Sequence, residues 1–281
     1  MPTAILEPVR TDRPNLDSYV IRGGSEGVAR LSVLAAAMQP STLALLDGLG
    51  SLAGRSIVDA ACGAGDVALE LARRAGPAGR MHGLDLDAVK LAAARERAQA
   101  QGLANCSFSQ ADVTAPWLVT DAQLVYARFI LTHLREPERM LACARNALAP
   151  GARIVIEDID AEGAFFHPHC DAVATFRCLY LTVTRLKGCD PCIGRRLHEL
   201  VEDAGLSVER TGLVQPYGSG DHPAKRVVAM TFEAIGDSLL AAKLVSRPEL
   251  ERMLAEVASF IVRPDSILSM PRVFQVVAVK K

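Results

Sequence analysis

Ile57-Val58-Asp59-Ala60-Ala61-Cys62-Gly63-Ala64-Gly65-Asp66 decides the fold of this chain, together with Asp85, 20 positions beyond Gly65. An apolar run ending in an acid, then a turn of small residues, reads as a buried strand passing into a helix. A second acid about 20 residues after such a turn stands where a ribose hydroxyl is held in a nucleotide-binding α/β unit.

Outward from that stretch, residues 55–158 alternate between short apolar strands and amphipathic helices. Strands are expected at Ser56–Asp59, Met81–Asp85, Cys106–Gln110, Ala122–Ala127 and Arg153–Asp158. The helices between them include one capped by Asp87, with Leu91, Ala94 and Ala98 on one face. Strands separated by helices of this length give a parallel sheet with right-handed crossovers, a doubly wound α/β fold. Helical flanks are expected over 15–49, 168–187 and 223–262, and 193–204 should be a helix leading into a strand near 206–214. The closing run Arg272–Val279 is a strand reached without a βαβ crossover, hence antiparallel to its neighbours. The expected division is an N-terminal helical lid segment, 1–50, and a Rossmann-like domain, 51–281, with helical insertions near 160–190 and 223–262 that cover the ligand edge of the sheet.

Bulk properties narrow the function classes. Of the 281 residues, 50% are hydrophobic and 22% charged, enough to bury a full core. The formal net charge is -1, with Lys and Arg scattered, so the concentrated basic footprint of a nucleic-acid binder is not expected. No apolar run of 18 residues free of charge is present, and the N-terminus lacks a basic segment followed by an apolar one, so neither a membrane span nor export is expected. An odd count of 7 cysteines fits reduced thiols in a cytoplasm. The partners expected are a small-molecule substrate and, at most, a second copy of the chain as a homodimer.

The turn formally satisfies the G-x-G-x-x-G/A fingerprint of dinucleotide binders, in Gly63-Ala64-Gly65-Asp66-Val67-Ala68. Three features point elsewhere. Asp59 ends the first strand, the turn holds no basic residue for a phosphate, and Gln110-Ala111-Asp112-Val113 places a third acid at the same edge. Three carboxylates around one crevice suit a cationic, phosphate-free ligand bearing an ammonium, ribose hydroxyls and an adenine amine, which describes S-adenosylmethionine.

At these residues the chain resembles class I S-adenosylmethionine-dependent methyltransferases of the bacterial small-molecule type. The family pattern acid-x-Gly-x-Gly-x-Gly is similar to Asp59-Ala60-Ala61-Cys62-Gly63-Ala64-Gly65, with Ala61 in place of the first glycine. His82-Gly83-Leu84-Asp85-Leu86-Asp87 looks like its second-strand element, and Ala111-Asp112-Val113 like its adenine-side element. Arg128-Phe129-Ile130-Leu131-Thr132-His133-Leu134 and Leu148-Ala149-Pro150-Gly151 resemble its fourth-strand exit and Leu-x-Pro-Gly turn. The likeness covers about 55–160, and Tyr19–Gly24 is similar to a segment that closes over the cofactor.

The resemblance implies a seven-stranded, mostly parallel sheet, with Asp85 on the ribose hydroxyls and Asp112 on the adenine amine. It further implies that Gly63 and Gly65 admit the methionine portion near Asp59. Tyr19, Ala60, Ala61, Cys62, Leu86, Val113 and Arg128 complete the expected cofactor set. Methyl transfer needs alignment, exclusion of water and, for some acceptors, removal of a proton. Candidate catalytic residues are His133, Asp158 and His167. Ala127-Arg128-Phe129-Ile130 lacks the Asn/Asp-Pro-Pro-Tyr/Phe element of base and amide methylation. Phe165, Phe166, Phe176, Leu179, Tyr180 and Leu181 suggest an apolar or aromatic acceptor, methylated at oxygen, nitrogen or carbon. His167, His169, Cys170, Cys189 and Cys192 do not form two well-spaced ligand pairs, so no metal is expected. Two alternatives stay open: a non-methylating reaction on the same cofactor, such as decarboxylation or rearrangement, and an NAD-dependent oxidoreductase.

Overall fold

Helices on both faces of a parallel sheet make its strands near-continuous apolar runs, and β1 (Ser56–Ala60) is buried at every position after Ser56. The structure, a computed structural model, describes Ile21 and residues 23–281. β2 (Arg80–Asp85), β3 (Cys106–Gln110), β4 (Ala122–Arg128) and β5 (Leu148–Asp160) follow, with α2 (Asp66–Ala75), α3 (Ala88–Ala100) and α4 (Pro137–Ala147) between them. With β7 (Ser207–Val214) and β10 (Arg272–Val279) they form a seven-stranded sheet of order β3-β2-β1-β4-β5-β10-β7. β1 to β5 pair in parallel, and β10 runs antiparallel to both β5 and β7. This is the Rossmann-like architecture with an antiparallel last strand that the alternating pattern and the family resemblance lead one to expect. Register sets the site, because Asp59 near the end of β1 lies opposite Gly83 on β2 and Tyr126 on β4.

Asp87 caps α3 by accepting the N–H groups of Val89 at 2.9 Å and Lys90 at 3.3 Å, and Leu91, Ala94 and Ala98 are that helix's buried face. The same carboxylate accepts the N–H of Gly24 at 3.0 Å, which ties the start of α1 (Gly24–Asp47) to the β2 exit. By length and composition alone α1 could cross a bilayer. Here Leu34, Ala37 and Met38 pack in one core cluster and Leu45 and Leu46 in another.

The C-terminal half differs from expectation in two ways. The excursion over 223–262 is two helices, α7 (Pro223–Ala241) and α8 (Arg247–Ile261). Lys243 at φ 55 breaks the first, and a reciprocal Ser246–Glu249 capping box starts the second. A three-stranded sheet of β6 (Phe166–His167), β9 (Ile267–Ser269) and β8 (Tyr217–Gly218) was not foreseen. Two-residue strands carry too short an alternation to register in a sequence. With α5 (Asp171–Leu186), α6 (Leu197–Asp203) completes the α-helices among the described residues; α1, α5, α7 and α8 share one hydrophobic cluster, in which the Phe176 and Phe232 rings lie 4.6 Å apart. Burying such aromatics contributes on the order of 1.5–3 kcal/mol each.

Candidate functional site

The turn after β1 is shaped by backbone conformations that few residues adopt. Ala61, Gly63 and Gly65 have φ of 62°, 54° and 83°. Ala61 occupies the place of a glycine in the family pattern and pays steric strain of about 1–2 kcal/mol for it. A Cβ on Gly63 would come within 3.0 Å of the Leu31 side chain, closing the space beside the turn. Gly65 closes the turn by donating its N–H to the Cys62 carbonyl at 3.0 Å and then starts α2.

Asp85 fixes this turn from the neighbouring strand. Its Oδ2 accepts the Gly63 N–H at 2.8 Å and its Oδ1 accepts the Asp87 N–H at 2.9 Å. A carboxylate has about four acceptor positions, so two remain for hydroxyl donors. Asp59 is only 3% exposed, and its Oδ2 makes no hydrogen bond among the described residues. Burial pushes its carboxyl up to about 8, Arg128 opposing and Asp85 and Asp66 adding to the shift. A buried carboxylate oxygen without a partner invites a donor or a cation.

A cavity of about 190 Å³ opens over this edge of the sheet. Its sheet side includes Asp59, Ala61, Cys62, Gly63, Asp85, Arg128 and His133, so seven residues anticipated from the sequence share one wall. Asp158 lies behind that wall. It is fully buried, accepts the Thr132 N–H at 3.2 Å and the Ile159 N–H at 2.8 Å, and so anchors the 3-10 turn Leu131–His133 that presents Thr132 and His133 to the cavity. Burial raises its carboxyl to about 7 despite these donors. His133 moves the other way: burial first, then Arg30 and Lys90, lowers it to about 3, so its imidazole is neutral near pH 7.

Other anticipated residues lie off the cavity wall. Ala60 is buried in the core, Gly65 sits at the helix start, and Leu86 gives its carbonyl to Gln110 Nε2 at 2.9 Å. Val113 is a core residue, whereas Asp112 is exposed and accepts the N–H and hydroxyl of Thr114 at 2.8 and 2.7 Å. His167 is exposed on β6, because strand alternation turns Phe166 inward and His167 out. Tyr19 lies outside the described residues, as does Arg22 of the segment Tyr19–Gly24.

Several residues of the site gave no sequence signal. Glu157 of β5 is fully buried and accepts from the Tyr126 hydroxyl, from Gln275 Nε2 at 2.8 Å and from Thr42 Oγ1 at 3.3 Å. Arg128 donates to the same Thr42 at 3.0 Å, so α1, β4, β5 and β10 meet in one polar network under the cavity floor. These partners are 31 to 118 residues apart, a separation no local pattern reveals. The opposite wall is apolar, with Phe165, Phe166, Val173, Phe176, Val228 and Met270. Arg30, Thr132, Arg177 and Thr231 add scattered polar groups to the lining.

Among the described residues, Asp160, Glu162 and Cys192 come close enough for a cation, yet Arg195 already bridges the two acids and Arg272 pairs with Asp160. All seven cysteines are free thiols.

Comparison with known proteins gives the following. The family described as a methyltransferase domain matches residues 52–205. A 2-phytyl-1,4-naphtoquinone methyltransferase of Trichormus variabilis is 33% identical over 134 residues, 47% of this chain. That match spans 56% of the relative, about half its length. Methyltransferase GfsG of Streptomyces halstedii is 29% identical over 205 residues, 71% of each chain. Among solved structures, a candidate methyltransferase from Bacillus halodurans C-125 aligns with a TM-score of 0.58 at 19% identity, over 85% of this chain and 99% of that one. The geranyl diphosphate C-methyltransferase of Streptomyces coelicolor A3(2) aligns at 0.51 and 14%, over 86% and 76%. At such identities the structural likeness shows the fold alone.

Proposed function

The chain belongs to the methyltransferase-domain family, that of the class I S-adenosylmethionine-dependent methyltransferases, and from that premise we propose that it methylates a small apolar or aromatic molecule. One observation carries the reading: Asp85 on the Gly63 N–H and the unpartnered Asp59 oxygen share one cavity with a wall of aromatic and aliphatic side chains. The 2-phytyl-1,4-naphtoquinone named for one relative is an apolar, aromatic acceptor of that general kind.

The residues present fit the cofactor. The two remaining acceptor positions of Asp85 suit ribose hydroxyls, and the buried Asp59 oxygen suits a positive group. Asp112, Val113 and Leu86 are assigned to the adenine side, supported by the Ala111 N–H bonding the Asp85 carbonyl at 2.9 Å, which ties the two strand exits together. When bound, S-adenosylmethionine supplies a methyl group already activated on a sulfonium. The chain's part is to align the acceptor and exclude water. His133, held neutral, serves as a hydrogen-bonding group toward the acceptor, and Asp158 positions it through the Leu131–His133 turn. His167, facing away from the cavity, has no part in this proposal. The helices α1, α5, α7 and α8 act as the lid.

We further assign the protein to the cytoplasm, on its free thiols, and to no nucleic-acid partner, on its 31 basic against 32 acidic residues without a basic stripe. A homodimer remains part of the proposal. Family membership does not favour the oxidoreductase or the non-methylating alternative. The test is incubation with methyl-labelled S-adenosylmethionine against panels of phenols, amines and isoprenoid-like compounds. Label in an acceptor product is expected; a converted acceptor without label would overturn methyl transfer.

A further inference from the structure

The turn after β1 holds a carboxyl group that is almost wholly buried, one oxygen of which has no donor among the described residues. Asp59 lines the cavity at 3% exposure, its Oδ2 has no hydrogen-bond partner among the described residues, and the Ala68 N–H at the start of α2 bonds its carboxyl group. The charged groups around it come from every neighbouring element. β2 brings Asp85 and α2 brings Asp66, the latter paired with Arg97 at 2.7 Å. β4 brings Arg128, whose guanidinium bonds Thr42 and lies 5.5 Å from the Phe129 ring centroid. Cys62 and Tyr126 face it as uncharged groups, both pushed well up by burial. Lys90 of α3 and Arg30 of α1 lie further round the same cavity. One shared cation against two further acids does not compensate a carboxylate removed from water, and such a group keeps its proton.

We propose that Asp59 is protonated in the free protein and gives that proton to solvent when a ligand's ammonium takes its place, so that it selects a nucleoside ligand that bears an ammonium over one that lacks it. The proposal rests on the cofactor reading above. In the exchange the Asp59 O–H bond breaks, the proton passes to water and buffer, and the electron pair left on oxygen accepts an N–H from the ligand ammonium. Nothing is oxidised or reduced. Binding of a charged ligand is then linked to pH. Affinity climbs roughly tenfold per pH unit while the free residue is protonated, and levels once it is ionised.

The experiment is titration calorimetry at pH 7 in phosphate and in Tris, whose ionisation enthalpies differ, so that buffer-dependent heat counts protons. The probes are S-adenosylhomocysteine, which carries the α-ammonium, and 5′-methylthioadenosine, which keeps the nucleoside and lacks the charged portion. Wild type should release about one proton with the first and about none with the second. Asp59→Asn should release none with either, weaken S-adenosylhomocysteine roughly 10- to 100-fold, and leave methylthioadenosine within about twofold. Asp85→Asn should weaken both nucleosides and keep the proton count. S-adenosylhomocysteine binding wild type with equal heat in the two buffers would overturn the proposal and leave the cofactor reading intact. The same proton release from Asp59→Asn would also overturn it. Failure of S-adenosylhomocysteine to bind wild type at all would overturn the cofactor reading and this proposal with it.

Discussion

The Gly63 N–H donates to the Asp85 carboxylate at 2.8 Å, which makes the turn after β1 and the exit of β2 a single unit. Two acids of the opening motif thus differ: each oxygen of Asp85 accepts a backbone N–H, whereas Oδ2 of Asp59 has no partner among the described residues. Asp85→Ala leaves the buried N–H of Gly63 without its acceptor and removes the proposed ribose contacts. Each lost bond to a charged group costs about 1.5–3 kcal/mol. S-adenosylhomocysteine affinity, read by calorimetry, should fall at least roughly tenfold. An unchanged Kd would remove Asp85 from the site.

Ala61 holds a left-handed conformation at φ 62° that glycine adopts without strain. Ala61→Gly relieves about 1–2 kcal/mol of strain, and greater unfolded-state freedom offsets up to about 1 kcal/mol of it. A melting temperature raised by roughly 1–4 °C is expected; a lower one would mean that the Ala61 methyl packs in a way that outweighs the strain.

Much of this was legible in the chain. The period of the pattern over 55–158 placed five strands, because parallel strands buried on both faces must be continuously apolar. Asp59, Asp85, Gly63 and His133 were findable because strand ends and tight turns restrict residue type. What escaped was non-local or too short. Glu157 meets Tyr126, Gln275 and Thr42 only after three strands and a helix assemble, and β6, β8 and β9 hold two or three residues each. Asp112 and His167 had the right chemistry in the sequence, and local geometry gives Asp112 a bond of its own and faces His167 to the outside. An Asx turn with Thr114 engages the first, and strand alternation exposes the second.

Glu157 anchors that buried network, so Glu157→Ala strands the Tyr126 hydroxyl, the Gln275 amide and the Thr42 hydroxyl together. A loss of about 3 kcal/mol or more follows from leaving three buried donors unpaired, at about 1–3 kcal/mol each. At roughly 2–4 °C per kcal/mol the melting temperature should drop by about 6 °C or more. A shift within about 1 °C would show that these donors find other partners.

His133 makes the acid limb of stability testable. Its folded value near 3 lies below that of an unfolded histidine, so the unfolded chain binds the extra proton. Stability from this group is therefore present above about pH 6.5 and is lost as pH falls toward 3, reaching about 2 kcal/mol by pH 5. Melting curves of wild type and His133→Gln should converge from pH 7 to pH 5. Parallel curves would place the imidazole in water.

The most direct measurement of the central claim is the melting temperature with S-adenosylhomocysteine and, separately, with NADH. At about 100 times its Kd a ligand adds about 2.7 kcal/mol to the folded state. A rise of several degrees with S-adenosylhomocysteine, absent with NADH and lost in Asp85→Ala, is the predicted result. A rise with NADH and none with S-adenosylhomocysteine would contradict the reading of the turn from Asp59 to Gly65 as a site for a cationic cofactor.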